Sequence, residues 1–423
     1  MNGAKKLINV LQENGYEAYL VGGCVRDMII GREIHDYDIC TSATPNDMLK
    51  VFKNFKVIET GLKHGTLTVV CNEKSYEITT YRIDGEYLDF RRPSEVKFTT
   101  DLIKDLSRRD FTMNAIAYND KNGLIDPFGG VKDIQNKIIK CVGNPNTRFN
   151  EDALRILRAI RFSAQLNYKI DNNTIYYILQ NKFLLENISK ERIRDELCKI
   201  VMSNNVKATL PFIQVYGVVV PELQKYYDCQ YPFFYGAIKR MDVCNTNDLI
   251  VKLAILFDKL KYYDFWDIDL DKNTECKIVP NIFTIESIMK KLKFDNKTIK
   301  SVCQLVMCDS GNNIRNDYDI KRLLNKIGYE QFNRLLQIKE LYVDNKELIS
   351  EIKSRLNYII ETQQCYDLGN LAINGEDLID MGYKGQQIGI ILDKVLDYIM
   401  KDNSKNNMEN IKEYIRCNFK QIN

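Results

Sequence analysis

The first residues, MNGAKKLINVLQENG, carry apolar side chains at helical spacing, and Asn14-Gly15 ends the run, so the pattern predicts an amphipathic helix over residues 1–14. EAYLVGG then reads as a short apolar strand entering a glycine turn, and CVRDMIIGR as a helix stopped by Gly31. HDYDICTS reads as a strand; TLTVVC, SYEITTYR and AIAYN also have strand character. Helix, turn and mixed strands together predict a small sheet domain ending near Val142. Past Asn150 the strand signal nearly vanishes. EDALRILRAIRFSAQL, NTIYYILQNKFLLENI and SKERIRDELCKIVMS repeat at helical period, and helical patterns run to the end of the chain. Weak boundaries fall near Asn144-Pro145, Ser203–Asn205 and Asn312–Asp317, with no low-complexity tract and no repeat of fixed period.

The chain has 423 residues, too many for one ordinary core, and two to four domains are expected. Hydrophobic residues at 45% and charged residues at 28% match a folded soluble protein. No apolar run approaches the roughly 20 residues of a membrane span, and the N-terminus lacks a signal-peptide pattern, so a cytoplasmic location is expected. The 12 cysteines are scattered, without CxxC, and the closest pair, Cys303 and Cys308, has no histidine nearby. Zinc and disulfides are not expected, and the thiols read as small buried hydrophobes. A net charge of +3, with acids and bases interleaved, neither announces nor excludes a nucleic-acid partner. His35 and His64 are the only histidines, which excludes a histidine-rich metal centre. His64, between a glycine turn and a strand in GLKHGTLTVV, reads as a loop residue or as a neighbour of an active site.

Three clusters suggest chemistry. In YLVGGCVRDMIIGREIHDYDIC, Gly22-Gly23 lets backbone N–H groups approach a phosphate, and Arg26 follows where a helix begins. Asp36 and Asp38 stand two apart, so on a strand they share one face and present paired carboxylates to Mg²⁺. An exposed strand edge is the plainer reading of the same pair. In SRRDFTMNA, Arg108, Arg109 and Asp110 form either a solvated loop or a holder for triphosphate and ribose. In EDALRILRAIRF, Leu154, Leu157 and Ile160 provide a packing stripe, while Asp152 and Arg155, three apart, read as helix neighbours. Glu151–Arg155 and Asp152–Arg155 would be ordinary helix pairs; alternatively, a fixed carboxylate and guanidinium form a template for a base edge. Arg161 falls half a turn from Asp152, so Arg158 and Arg161 are expected on phosphate or on neighbouring elements. The absence of GxGxxG removes support for a nicotinamide enzyme. A pure binding module is disfavoured, because it has no need of adjacent carboxylates such as Asp36 and Asp38.

LVGGCVRDMIIGREIHDYDICTSA, RRDFTMNA and EDALRILRAIRF, in this order, closely resemble the signature motifs of class II tRNA nucleotidyltransferases, a family that includes CCA-adding enzymes, bacterial poly(A) polymerases and split CC-adding and A-adding enzymes. The match covers roughly the first 200 residues; beyond them the likeness rests on helical character and LAINGEDLIDMGYKGQQIGIIL. The resemblance implies an α+β protein. A DNA polymerase beta-like nucleotidyltransferase head (1–143) would precede an all-α neck (144–204), body (205–315) and tail (316–423). The implied reaction is template-free, Mg²⁺-dependent addition of CCA from CTP and ATP to the tRNA 3′ end. Asp36 and Asp38 match metal carboxylates, with Glu77 as a third candidate. Gly23 and Arg26 match nucleotide contacts, Arg109 a ribose and phosphate sensor, Asp152 and Arg155 the base-reading pair, and Arg158 and Arg161 further arginines of that motif. The implied partner is the acceptor and T arm of tRNA, bound by a monomer or homodimer.

CC-adding members lack most of a loop between the first two motifs, whereas YRIDGEYLDFRRPSEVKFTTDLIKDLSRRD is long here. That argues against CC addition alone and leaves A-only addition and poly(A) synthesis as alternatives. Against the latter, the tail lacks a strongly basic extension and the neck motif resembles the CCA type. Some relatives carry a His-Asp phosphohydrolase domain; the similar place here reads LAILFDKLKYY, with Phe257 before Asp258, and no histidine follows His64. No phosphatase activity is therefore expected. GYKGQQIG, Gly382 to Gly389, resembles a phosphate-binding hairpin, and a simple helix–helix turn is an equal reading.

Overall fold

The computed structural model describes residues 1–85, 95–223, 233–258, 282–309, 314–342 and 346–419. It forms two compact units: Met1–Asp242 with Lys291–Lys293, and Val243–Lys290 with Phe294–Asn423.

In the first unit, α1 (Asn2–Glu13) buries Ala4, Leu7, Ile8 and Leu11, the stripe that the apolar spacing required. The main sheet is mixed. Its interior strand β1 (Ala18–Val21) is buried along its whole length, as an apolar run covered on both faces should be. β2 (Asp38–Thr41) lies antiparallel to β1 and parallel to β5 (Lys74–Thr80). β3 (Lys56–Ile58), β4 (Thr66–Cys71) and β5 continue the sheet antiparallel on one side, and β8 (Ala117–Asn119) and β9 (Gly123–Ile125) on the other. The resulting order is β3-β4-β5-β2-β1-β8-β9, while β6 (Arg82–Asp84) and β7 (Val96–Phe98) pair antiparallel as a separate ribbon. α2 (Gly23–Ile30) starts directly after β1 and ends at Gly31, whose φ of +70° is the left-handed cap expected there.

Helices dominate after residue 144: α6 (Pro145–Glu151), α7 (Leu154–Leu166), α8 (Asn172–Asn181), α9 (Lys190–Val201) and α10 (Ile213–Val219), numbering after α3 (Pro45–Val51), α4 (Leu102–Ser107) and α5 (Gly130–Gln135). α7 packs closely on α9. A two-residue strand, Lys169–Ile170, lies beyond Asn150 and pairs in parallel with Ile138–Ile139. Such a short pairing gives no periodic signal in sequence.

Two local expectations need correction. Asp36 lies ahead of β2, which begins at Asp38, so the two carboxylates are not two residues along one strand. Asp152 leaves the helix, with φ −142° and ψ 103°, and divides α6 from α7. It is therefore not a helical neighbour of Arg155. Its side chain caps instead, Oδ1 accepting from the Leu154 amide at 3.1 Å.

The second unit is helical. Leu249–Phe257, Asn296–Asp309, Asp317–Lys339 and Lys346–Glu361 are followed by Gly375–Asp380, Gln386–Lys401 and Met408–Asn418 around an apolar core that includes Leu378, Val395, Ile399 and Ile411. Phe257 and Asp258 are buried, and the Tyr342 hydroxyl donates to Asp258 Oδ2 at 3.2 Å. GYKGQQIG joins two of these helices, with Gly382 and Gly385 at φ +90° and +57°. Part of the long loop between the first two motifs, residues 86–94, lies outside the described residues.

Candidate active site

The turn from β1 to α2 forms one wall. Gly22 holds φ +81° and ψ −134°, a conformation for glycine. A Cβ here would stand 3.3 Å from Arg109 Nη1 and 3.8 Å from Asp38 Oδ2. Arg26, within α2, is buried and fully oriented: Nη1 donates to Asn114 Oδ1 at 2.8 Å, while Nε and Nη2 donate to Asp27 at 3.0 and 2.9 Å. Its guanidinium lies 5.0 Å from the Phe162 ring centroid.

Asp38 sits at the mouth of β2, in register with Glu77 on parallel β5. Asp38 is exposed at the strand mouth, yet the protein packed around its carboxyl desolvates it in part and raises its pKa; Arg109 opposes the shift, and the charges of Glu77 and Asp36 add to it. A carboxylate in that state is a good partner for a hard cation. Among the described residues, no group of three His, Cys, Asp or Glu side chains is placed to hold a metal. An ion held by Asp36 and Asp38 would therefore take remaining ligands from substrate phosphate and water, as Mg²⁺ commonly does.

Arg109 is fixed from behind. Fully buried Asp105 accepts from Arg109 Nη2 at 3.2 Å and from Arg108 Nε and Nη2 at 3.0 and 2.8 Å. Burial alone would raise the Asp105 pKa, but Arg109 and Arg108 outweigh it and hold the group ionised.

The other wall comes from the α6–α7 junction. Asp152 Oδ2 accepts from Arg192 Nη2 at 2.8 Å. Arg155 donates to Glu151 at 2.6 Å and to the Arg148 and Arg108 carbonyls at 3.1 and 3.0 Å. Arg158 pairs with Asp110 and Arg161 with Glu196, and both guanidiniums pack near the Phe162 ring. Burial lowers the Arg161 pKa, partly offset by Glu196.

These walls enclose a cavity of about 600 Å³. Gly23, Arg26, Asp36, Asp38, Arg109, Asp152, Arg155, Arg158 and Arg161 all line it. Glu77 and His64 are not among the lining residues; exposed His64 ends a short 3-10 turn, and its carbonyl accepts from Arg82 at 2.9 Å. Seven arginines and four aspartates face the cavity, an excess of positive charge suited to a polyanion.

Known proteins resemble this chain in sequence and fold. Residues 18–140 match the model of the poly A polymerase head domain, residues 167–225 that of a probable RNA and SrmB-binding site of polymerase A, and residues 279–415 that of a putative tRNA nucleotidyltransferase domain 2. The CCA-adding enzyme of Ligilactobacillus salivarius is 35% identical, with 99% of this chain and 96% of that protein aligned. The CCA-adding enzyme of Oceanobacillus iheyensis is 34% identical over 98% of this chain and 97% of that one. The chain belongs to the CCA-adding enzyme family of tRNA nucleotidyltransferases.

The Bacillus stearothermophilus CCA-adding enzyme, solved in complex with CTP, superposes with a TM-score of 0.77 at 28% identity, covering 98% of both chains. The Thermotoga maritima CCA-adding enzyme, solved with tRNA, shares the fold at a TM-score of 0.67 and 21% identity, over 98% of this chain and 95% of that one. The family's α+β architecture, mixed-sheet head followed by helices, is thus present here.

Sequence reasoning missed several members of the cavity in this tRNA nucleotidyltransferase. Arg192 is the clearest case: it lies forty residues from Asp152 on α9, and its segment carried only a helical signal. Asn114 and Phe162 sit inside recognised motifs but had no assigned part; one orients Arg26 and the other packs against three guanidiniums. Gly22, rather than Gly23, has the left-handed backbone that brings the turn against Arg109 and Asp38.

Proposed function

We propose that this chain adds C, C and A, without a nucleic-acid template, to the 3′ end of tRNA, using CTP and ATP and releasing pyrophosphate. One observation carries the reading: a single strongly basic cavity brings together the carboxylates after β1–α2, Arg109 and the α6–α7 junction. Near full-length relatives named CCA-adding enzymes support it.

The tRNA 3′ hydroxyl would attack the nucleotide α-phosphate in line, and the chain's work is positioning and charge neutralisation. Asp36 and Asp38 are the residues for Mg²⁺, which when bound would neutralise phosphate charge and acidify the hydroxyl; Glu77, in register with Asp38 but outside the cavity lining, is the third carboxylate assigned to catalysis. Gly23, Arg26 and Arg109 are assigned to the triphosphate and ribose. Asp152 and Arg155 are assigned to the base, with Arg158 and Arg161 completing the wall. Cytosine and adenine both present an amino donor beside a ring-nitrogen acceptor, which a carboxylate and guanidinium match; uracil and guanine present the reverse. The head, neck, body and tail are assigned to 1–143, 144–204, 205–315 and 316–423, with the tail on the acceptor and T arm. A cytoplasmic location fits this substrate, and among the described residues no helix is long and apolar enough to cross a membrane.

Primer extension tests the reading. With Mg²⁺, CTP and ATP, a tRNA ending at the discriminator base should gain three nucleotides. Extension only of a tRNA already ending in CC, by one A, would reassign the chain to A addition. Long ladders would make it a poly(A) polymerase.

A further inference from the structure

We propose that Arg192 is a positioning residue for nucleotide selection, holding the Asp152 carboxylate in the orientation that reads the base. The inference rests on the assignment of Asp152 to base selection.

Asp152 divides two helices with extended φ and ψ, so its side chain leaves the helical direction although its amide still donates to the Arg148 carbonyl at 3.3 Å and its carbonyl accepts from the Arg155 amide at 3.0 Å. Two contacts hold that side chain: the Leu154 amide on Oδ1 at 3.1 Å and Arg192 Nη2 on Oδ2 at 2.8 Å. The first is local and merely caps α7. The second comes from a different helix and brings a full positive charge.

α9 is well placed for this. Arg192 and Glu196 are one turn apart on it, and they take opposite charges from the facing segment: Arg192 takes Asp152 at the junction, and Glu196 takes Arg161 Nε, within α7, at 2.7 Å. Glu196 is buried, so this face is set into the protein rather than waving in solvent. The two contacts thus hold Asp152 and Arg161, both of which line the cavity.

Arg192 also lines the cavity, which makes its effect on Asp152 more than remote packing. Only one arm of its fork is used on the carboxylate. Nη1 is buried without a hydrogen-bond partner. A one-armed grip leaves the second lone pairs of Asp152 available for an amino group on the substrate. Without Arg192, the carboxylate could rotate about its side chain and accept from water. The amino donor of cytosine or adenine would then lose its distinguishing partner, and uracil would lose its penalty.

The test is steady-state incorporation of CTP and UTP onto tRNA lacking CCA. It compares wild type, Asp152→Ala, Arg192→Met, Arg192→Lys and the double variant Asp152→Ala/Arg192→Met. Arg192→Met is expected to lower the CTP-over-UTP ratio of kcat/KM by about 10-fold to 100-fold. Arg192→Lys, which keeps the charge, should recover part of it. The double variant should match Asp152→Ala. A purely structural Arg192 would lower both rates together and leave the ratio intact. If Asp152→Ala loses selectivity while Arg192→Met and Arg192→Lys keep the wild-type ratio, the Arg192 proposal is overturned alone. If Asp152→Ala itself keeps the ratio, the base-selection assignment falls, and this proposal with it.

Discussion

Arg158 grips Asp110 with two nitrogens, Nε at 2.8 Å and Nη2 at 2.7 Å from the same Oδ2. The other oxygen of Asp110 accepts from its neighbour's amide, Phe111 N–H at 2.8 Å, and from Asn114 Nδ2 at 3.1 Å. Burial alone would raise this carboxyl's pKa. The Arg158 charge, the Asn114 hydrogen bond and Arg155 outweigh burial and bring it down to about 2. A depressed carboxyl stabilises the fold above its unfolded pKa, and that contribution is lost as pH falls through the folded value. Asp110→Asn should therefore cost about 2 kcal/mol near neutrality. In urea titrations, the gap between wild type and variant should close between about pH 4 and pH 2. A gap that does not change over that range would show that Asp110 is not the titrating partner.

Gly22→Ala should be far more damaging than its size suggests. The backbone at φ +81°, ψ −134° is strained for any side chain, and the new methyl would press on Arg109 Nη1 at 3.3 Å. We expect a loss of about 1–3 kcal/mol of stability and a fall of about 100-fold in kcat/KM from the displaced arginine. Gly23→Ala at its less crowded neighbour, where a Cβ meets only Arg26 Nη2 at 3.6 Å, is the comparison. Equal effects at both positions would refute the argument.

Asp38→Asn should make the metal-free protein more stable and inactive. Partial desolvation by the surrounding protein, reinforced by Glu77 and Asp36 against the pull of Arg109, holds the pKa of the surface-exposed Asp38 above its ordinary value. A carboxyl raised on folding opposes folding once it ionises, so the native state loses stability as pH rises through its titration range. Removing the charge should raise the Tm slightly at neutral pH, since Asp38 is exposed at the mouth of β2 and solvent screens the repulsion, read by thermal unfolding in EDTA. Added Mg²⁺ should raise the wild-type Tm and leave the variant unchanged. A variant that melts lower than wild type in EDTA would contradict this electrostatic account.

No phosphohydrolase activity is expected. His64 is the last histidine in the chain, and Asp258 is buried with the Tyr342 hydroxyl on its carboxylate. Hydrolysis of p-nitrophenyl phosphate with Mg²⁺, Mn²⁺ or Ni²⁺ should stay at the buffer rate. Turnover above that rate, abolished by Asp258→Ala, would overturn the expectation.

Much of the architecture is legible in the amino-acid sequence. The stripe Leu7, Ile8 and Leu11 foretells α1, the run from Ala18 to Val21 foretells β1, and Gly31 foretells the end of α2. These are local properties, set by side-chain period and by the φ that glycine permits. Local reasoning fails at Asp36 and Asp152. Periodicity puts both inside regular elements, and both lie just outside them. Each sits at a junction between regular elements, where the backbone dihedral angles change within one or two residues, and periodicity has no signal for that.

The sequence by itself determined which chemical groups are available: two aspartates near a glycine turn, an arginine-rich second motif and a third motif ending in Phe162. It also determined the strand-then-helix division, because hydrophobic period is written locally. Only the tertiary structure decided how those groups are charged and aimed. Asp105 and Asp110 remain anions because folding sets arginines and hydrogen-bond donors against them that outweigh burial, and Asp152 faces Arg192 because α9 packs on α7. Those relations depend on through-space distance and on water excluded by packing, and neither quantity is a function of spacing along the chain.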